Sequence, residues 1–162
     1  MKSFFRLNEY SVLFYRIALA YLFYFIARIL FYTYNYDILD VNSVTEFLQI
    51  SYHGLVFDTT AILYVNGLFI LLSTLPFFIN TKPKYQKGLF YLYFISNLFF
   101  YAFNFVDLIY YKYNFSRLTL AAWDIIKHEE SKGGMLFRFI ITYWHVFILY
   151  ILVCALWVFL YN

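Results

Sequence analysis

The sequence predicts an all-α integral membrane protein: a bundle of four transmembrane helices with two short interfacial helices in the outer loops. Three observations predict it. Of the 162 residues, 64% are hydrophobic and 13% charged, against about 25% charged in a soluble domain. Mean hydropathy is +0.67. Four apolar runs are each long enough to cross the roughly 30 Å hydrocarbon layer as helices of about 20 residues. The 22 Phe, 19 Tyr and 3 Trp would overfill any soluble core open to so short a chain, whereas lipid-facing surfaces and interfacial belts accommodate them. Phe, Tyr, Asn, Lys and Ile are also the residues that AT-rich codons favour, so the aromatic excess reads as composition and not as a binding signal.

The spans are expected near 10–34, 54–79, 89–111 and 136–161, within one transmembrane domain over 1–162. The first follows Lys2 and Arg6 and contains Ala18-Leu19-Ala20, a pattern like a signal cleavage site. Arg16 interrupts what would be the signal core and the run continues to Leu30, so it reads as a spanning helix. The next segment holds Asp37, Asp40 and Glu46 with no basic residue, the mark of an outer loop. Ser43 and Glu46 have capping-box spacing, and Val44, Phe47 and Leu48 share a face, which predicts the first interfacial helix. Lys82, Lys84 and Lys87 make the turn before the third span purely basic, an inside signature.

The third connection carries Lys112, Arg117, Lys127, Lys132 and Arg138 against Asp124, Glu129 and Glu130. Basic residues then tie between the two sides. Orientation follows the first helix and the contrast between the acidic first loop and the basic turn, giving a cytoplasmic N-terminus. Leu118, Ala121, Ala122, Ile125 and Ile126 recur at helical spacing, predicting a second interfacial helix that ends at Gly133-Gly134.

Several functions are excluded. A net charge of +3 with scattered basic residues gives no footprint for a nucleic acid. Cys154 is the single cysteine and allows neither an internal disulfide nor a Cys/His metal set. His53 and His128 are isolated loop histidines. No Gly-rich phosphate loop, His-Glu-x-x-His helix or Ser/His/Asp set is visible, so the chain by itself carries no catalytic residue, metal ligand or cofactor site.

Ionisable groups at membrane depth each need a partner or an aqueous cavity. Arg16 lies close enough to the cytoplasmic end to snorkel and reads as structural. At about 1.5 Å per helical residue, Arg28, Asp58, Asp107 and His145 all fall in the outer third of the membrane, one from each span. Lys112 and Arg117 lie just above them, and Asn66, Asn97 and Asn104 extend inward. Arg28, Asp58, Asp107, His145 and Arg117 therefore form the candidate site. One reading is structural, with Arg28 neutralising Asp58 or Asp107 and the rest fixing helix packing. The other is that the cluster receives the headgroup of an anionic phospholipid. An ion path would need polar residues through the inner half, which is almost purely apolar.

The run His53-Gly54-Leu55-Val56-Phe57-Asp58-Thr59-Thr60-Ala61-Ile62, with Tyr64, Asn66 and Leu75-Pro76 after it, resembles the second membrane segment of the lipoteichoic acid synthase-like sulfatase family, especially its Bacteroidetes members. Asn104-Phe105-Val106-Asp107, followed by Tyr110, Tyr111, Phe115, Ser116, Arg117 and Thr119, resembles that family's third-span exit and its Arg-x-Thr turn. The resemblance implies the N-terminal membrane region of a sulfatase or phosphoglycerol transferase of the alkaline phosphatase superfamily, in the bacterial inner membrane. Such a protein has five membrane helices and an extracytoplasmic domain with a Thr nucleophile and a divalent metal, manganese, magnesium or zinc. It transfers or hydrolyses phosphoglycerol-, phosphoethanolamine- or sulfate-ester groups. The chain has four spans and no catalytic domain, so the resemblance carries over only Asp58, Asp107 and Arg117. The expectation is that the natural protein continues past Asn162 into a fifth helix and that domain. The alternative is a self-contained helical membrane scaffold or lipid-binding accessory subunit without catalysis.

Overall fold

The computed structural model describes residues 7–41, 43–74, 82–119 and 141–161. Among them it has four helices, α1 (Leu7–Tyr34), α2 (Val44–Thr74), α3 (Pro83–Asn114) and α4 (Trp144–Tyr161), and no strand. All four are long and apolar enough to cross a membrane. A third or less of each span's most apolar stretch is buried inside the bundle. The remaining apolar surface, with Phe14, Phe57, Tyr64 and Phe159 each more than three-quarters exposed, is what a lipid-facing surface requires and what water would penalise.

Helix boundaries follow local chemistry. Ser43 Oγ accepts the Glu46 N–H at 3.1 Å, the N-cap bond that the spacing predicts. No proline follows, and no turn is sited between 44 and 54, so the segment expected as a separate interfacial helix is instead the opening of α2. At 31 residues, α2 is about 46 Å long, more than the thickness of a hydrocarbon layer, so in a bilayer it would tilt or project. The α3 helix starts with Pro83 in its first turn, where a missing N–H costs nothing, and ends where Phe115 turns left-handed at φ 52°. In the fourth span Ile141 and Thr142 are helical, a turn at Tyr143 interrupts them, and α4 runs on from Trp144. The second expected interfacial helix and the start of the expected fourth span, 120–140, lie outside the described residues; Leu118 and Thr119 are not helical.

The helices α1 and α3 form the central pair, and each also packs on α2 and α4. Tyr15 of α1 donates to Leu160 O near the end of α4, Tyr85 of α3 donates to Leu72 O of α2, and Asn35 Nδ2 donates to Leu108 O of α3. Neighbours in sequence therefore run antiparallel, with α1 and α3 parallel.

The core is aromatic and hydrogen-bonded. Phe23 stacks on Trp157 at 4.5 Å, Trp157 Nε1 donates to the Tyr93 hydroxyl at 3.2 Å, and that hydroxyl donates to Arg16 O at 2.9 Å. Tyr101 donates to Phe23 O and Tyr150 to Leu98 O. In lipid, water exclusion would give no driving force between helices, and cross-helix hydrogen bonds and close packing would hold the bundle. Tyrosine supplies both.

Candidate functional site

Arg28, Asp58, Asp107 and Arg117 meet at the end of the bundle formed by the close of α1, the first half of α2 and the close of α3. Ser51, Gly54 and Asp58 recur at i, i+3 and i+7, so they form one stripe on α2 that faces α1. The Arg28 guanidinium lies across it. Nη2 donates to Asp58 Oδ2 at 2.7 Å and Nη1 to Ser51 O at 2.5 Å. Gly54 supplies the space, because a Cβ there would overlap the guanidinium. The side chains of Arg28 and Asp58 are only 14% and 16% exposed, so each stands in for the water the other has lost.

Asp107 is held differently. The left-handed Phe115 folds the chain back over α3, which brings the Leu118 N–H to Asp107 Oδ1 at 2.7 Å and Arg117 Nε to Oδ2 at 3.6 Å. The Arg117 guanidinium also lies 4.5 Å above the Phe31 ring of α1, a cation–π contact that sets its plane. Its side chain remains 58% exposed while that of Asp107 is 11% exposed. Asp107 therefore anchors from below an arginine that stays open above.

Between the two pairs lies a cleft lined by Tyr24, Phe31, Asn104 and the four charged residues. Its interior is about 20 Å³, counted for the centre of a water-sized sphere, room for one or two waters. The two arginines and two aspartates cancel in formal charge. Among the described residues no three His, Cys, Asp or Glu side chains come together, and both aspartates already face an arginine. The cluster does not fit a divalent metal.

His145 stands apart from this cluster. It is exposed, and Nε2 lies 3.5 Å from the Tyr34 hydroxyl. Lys112 is beside the same tyrosine, with Nζ 5.2 Å from the ring centre. Asn66 and Asn97 do not extend the cleft. They form a reciprocal amide pair, at 3.1 and 2.7 Å, about two turns deeper, and only Asn104 joins the cleft lining. The roles of Ser51 and Gly54 were readable in principle from the i, i+3, i+7 stripe. The fold-back at Phe115 has turn-prone Asn114 and Ser116 beside it, but the left-handed position itself holds a phenylalanine and not the Gly or Asn that would announce it.

No family model, curated protein or solved structure matches this chain.

Proposed function

We propose that the chain is a membrane bundle that seats the phosphate of a phospholipid headgroup at the Arg117 mouth of the cleft. In this reading it is the membrane portion of a sulfatase- or phosphoglycerol-transferase-type enzyme acting outside a bacterial inner membrane, with its N-terminus in the cytoplasm. The observation that carries it is Arg117: exposed, plane-fixed by Phe31, and engaged with Asp107 through Nε. An arginine held in this way presents its terminal nitrogens to an oxyanion without first losing side-chain freedom. The water-sized interior keeps the headgroup at the mouth, with Lys112 adding charge nearby.

The enzymatic half rests on the residues around Asp58 and Asp107 that resemble the sulfatase-like family, and any metal belongs to a domain beyond this chain. A second reading, a scaffold or accessory subunit without catalysis, is favoured by the charge cancellation, since each arginine has its own aspartate. The test is phospholipid retention by the purified chain in nanodiscs, read by native mass spectrometry. Arg117→Gln is expected to lower retention about fivefold, the worth of one basic group at a membrane surface. Equal retention by both proteins supports the scaffold. The coding sequence after Asn162 tests the enzymatic half: a metal-dependent external domain supports it and a stop codon overturns it.

A further inference from the structure

Three arginines fall among the described residues, and the third is bonded unlike the other two. Arg28 and Arg117 each meet an aspartate. Arg16 lies at the opposite end of the bundle, and among the described residues no carboxylate pairs with it. Its Nη1 reaches Gln86 Oε1 of α3 at 3.4 Å, a long contact, and its Nε is buried with no hydrogen-bond partner. The guanidinium lies 4.4 Å from the centre of the Tyr161 ring at the end of α4. Tyr161 is 8% exposed, and its buried hydroxyl also lacks a partner.

A snorkelling arginine would extend into water and satisfy its donors there. This one is held between α1, α3 and α4, and among the described residues no carboxylate meets its donors. The surroundings are cationic as well. Lys82, Lys84 and Lys87 are exposed at the same end, and the first turn of α3 contains no acidic residue. Lys82 is the N-cap of α3 and lies one turn from Gln86 on the same face. The amino end of α3 adds its partial positive charge.

We propose that the Arg16 and Tyr161 donors, where α1, α3 and α4 meet, bind the phosphodiester of an anionic phospholipid. Phosphate oxygens accept from the Arg16 guanidinium and the Tyr161 hydroxyl, and Lys82 with its neighbouring lysines balances the headgroup charge. The site is separate from the Arg117 cleft, at the other end of every helix, and does not depend on the function proposed for that cleft. A lipid is the fitting source because Arg16 lies within a span, reachable from the bilayer.

The test places the 162-residue chain in phosphatidylcholine nanodiscs with or without phosphatidylglycerol and reads retained lipid by native mass spectrometry and stability by melting temperature. The unmodified chain is expected to retain phosphatidylglycerol over phosphatidylcholine and to melt higher with it. Arg16→Gln should reduce that preference about fivefold. Inorganic phosphate added to phosphatidylcholine discs should not raise the melting temperature. Should Arg16→Gln fail to fold, a Lys82→Gln, Lys84→Gln, Lys87→Gln triple variant, altered only at exposed positions, takes its place and should also lose preference. An undiminished preference in the variant used, or equal stabilisation by inorganic phosphate, would overturn the assignment.

Discussion

The Arg28 guanidinium occupies the space that a side chain at position 54 would fill, and this gives the two interior glycines of α2 opposite roles. At Gly67 no heavy atom beyond the adjoining residues and the helix's own backbone lies within 4 Å of the point where an alanine methyl would stand, whereas at Gly54 the guanidinium does. Alanine favours a helix interior over glycine by about 1 kcal/mol, so Gly67→Ala is expected to stabilise the chain. At Gly54 the same gain is outweighed by displacing a guanidinium fixed on Asp58 and Ser51 O. Overpacking of this kind costs about 1 to 3 kcal/mol, so Gly54→Ala should melt lower than the parent in detergent. Two melting curves decide it, and a rise at both positions would mean that Arg28 moves aside freely. The sequence left Arg28 two partners, Asp58 and Asp107. Asp58 takes it because Asp107 is already held by Arg117 and the Leu118 N–H, through a left-handed phenylalanine that no turn motif foretells. His145 was grouped with these residues by depth alone, and depth along a helix does not give the direction in which a side chain faces.

Long elements were the most legible, because apolar runs of this length have few other solutions. Their starts and ends were less so. The stretch 44–53 read as a surface helix from its one-sided apolar pattern, but a cap at Ser43 and an uninterrupted chain behind it join the stretch to α2. The polar contacts between helices were visible as residue types and not as pairs. Asn66 and Asn97, both fully buried, use both N–H groups of each amide: one crosses between helices and the other returns to the carbonyl four residues back, Ile62 or Tyr93. Replacing one leaves the other with an acceptor and a donor unmet in an apolar setting. Asn66→Leu or Asn97→Leu should each cost about 1 to 2 kcal/mol, and the double variant should cost less than their sum. A double-mutant cycle on thermal or denaturant unfolding measures the coupling, and strict additivity would show that the two amides stabilise the bundle independently. The tyrosines carry a similar lesson. Composition accounts for their number, while the bonds from Tyr93, Tyr101 and Tyr150 to carbonyls of neighbouring helices show what the fold does with them.

Across the whole molecule, alternating helix direction gathers charge at two ends. The start of α1, the end of α2, the start of α3 and the end of α4 share one end, which holds Arg16, Lys82, Lys84 and Lys87. The other end holds Asp37, Asp40 and Glu46 beside Lys112 and Arg117. Basic counts over the whole sequence tie, so the sequence alone settled orientation only through its short loops. Short loops are also where the bias against translocating Lys and Arg acts most strongly. The first end is therefore expected in the cytoplasm and the acidic end outside. Cysteine labelling in intact cells reads this directly. Cys154, the single native cysteine, is buried in α4 and gives a silent background. A membrane-impermeant maleimide should label Asp40→Cys from outside and reach Lys84→Cys only after permeabilisation, since α2 lies between the two positions. Phosphatase fusions at Glu46 and Pro83 should agree, active at the first and inactive at the second. Labelling of Lys84→Cys alone from outside would invert the orientation, and labelling of both from the same side would mean that α2 does not span.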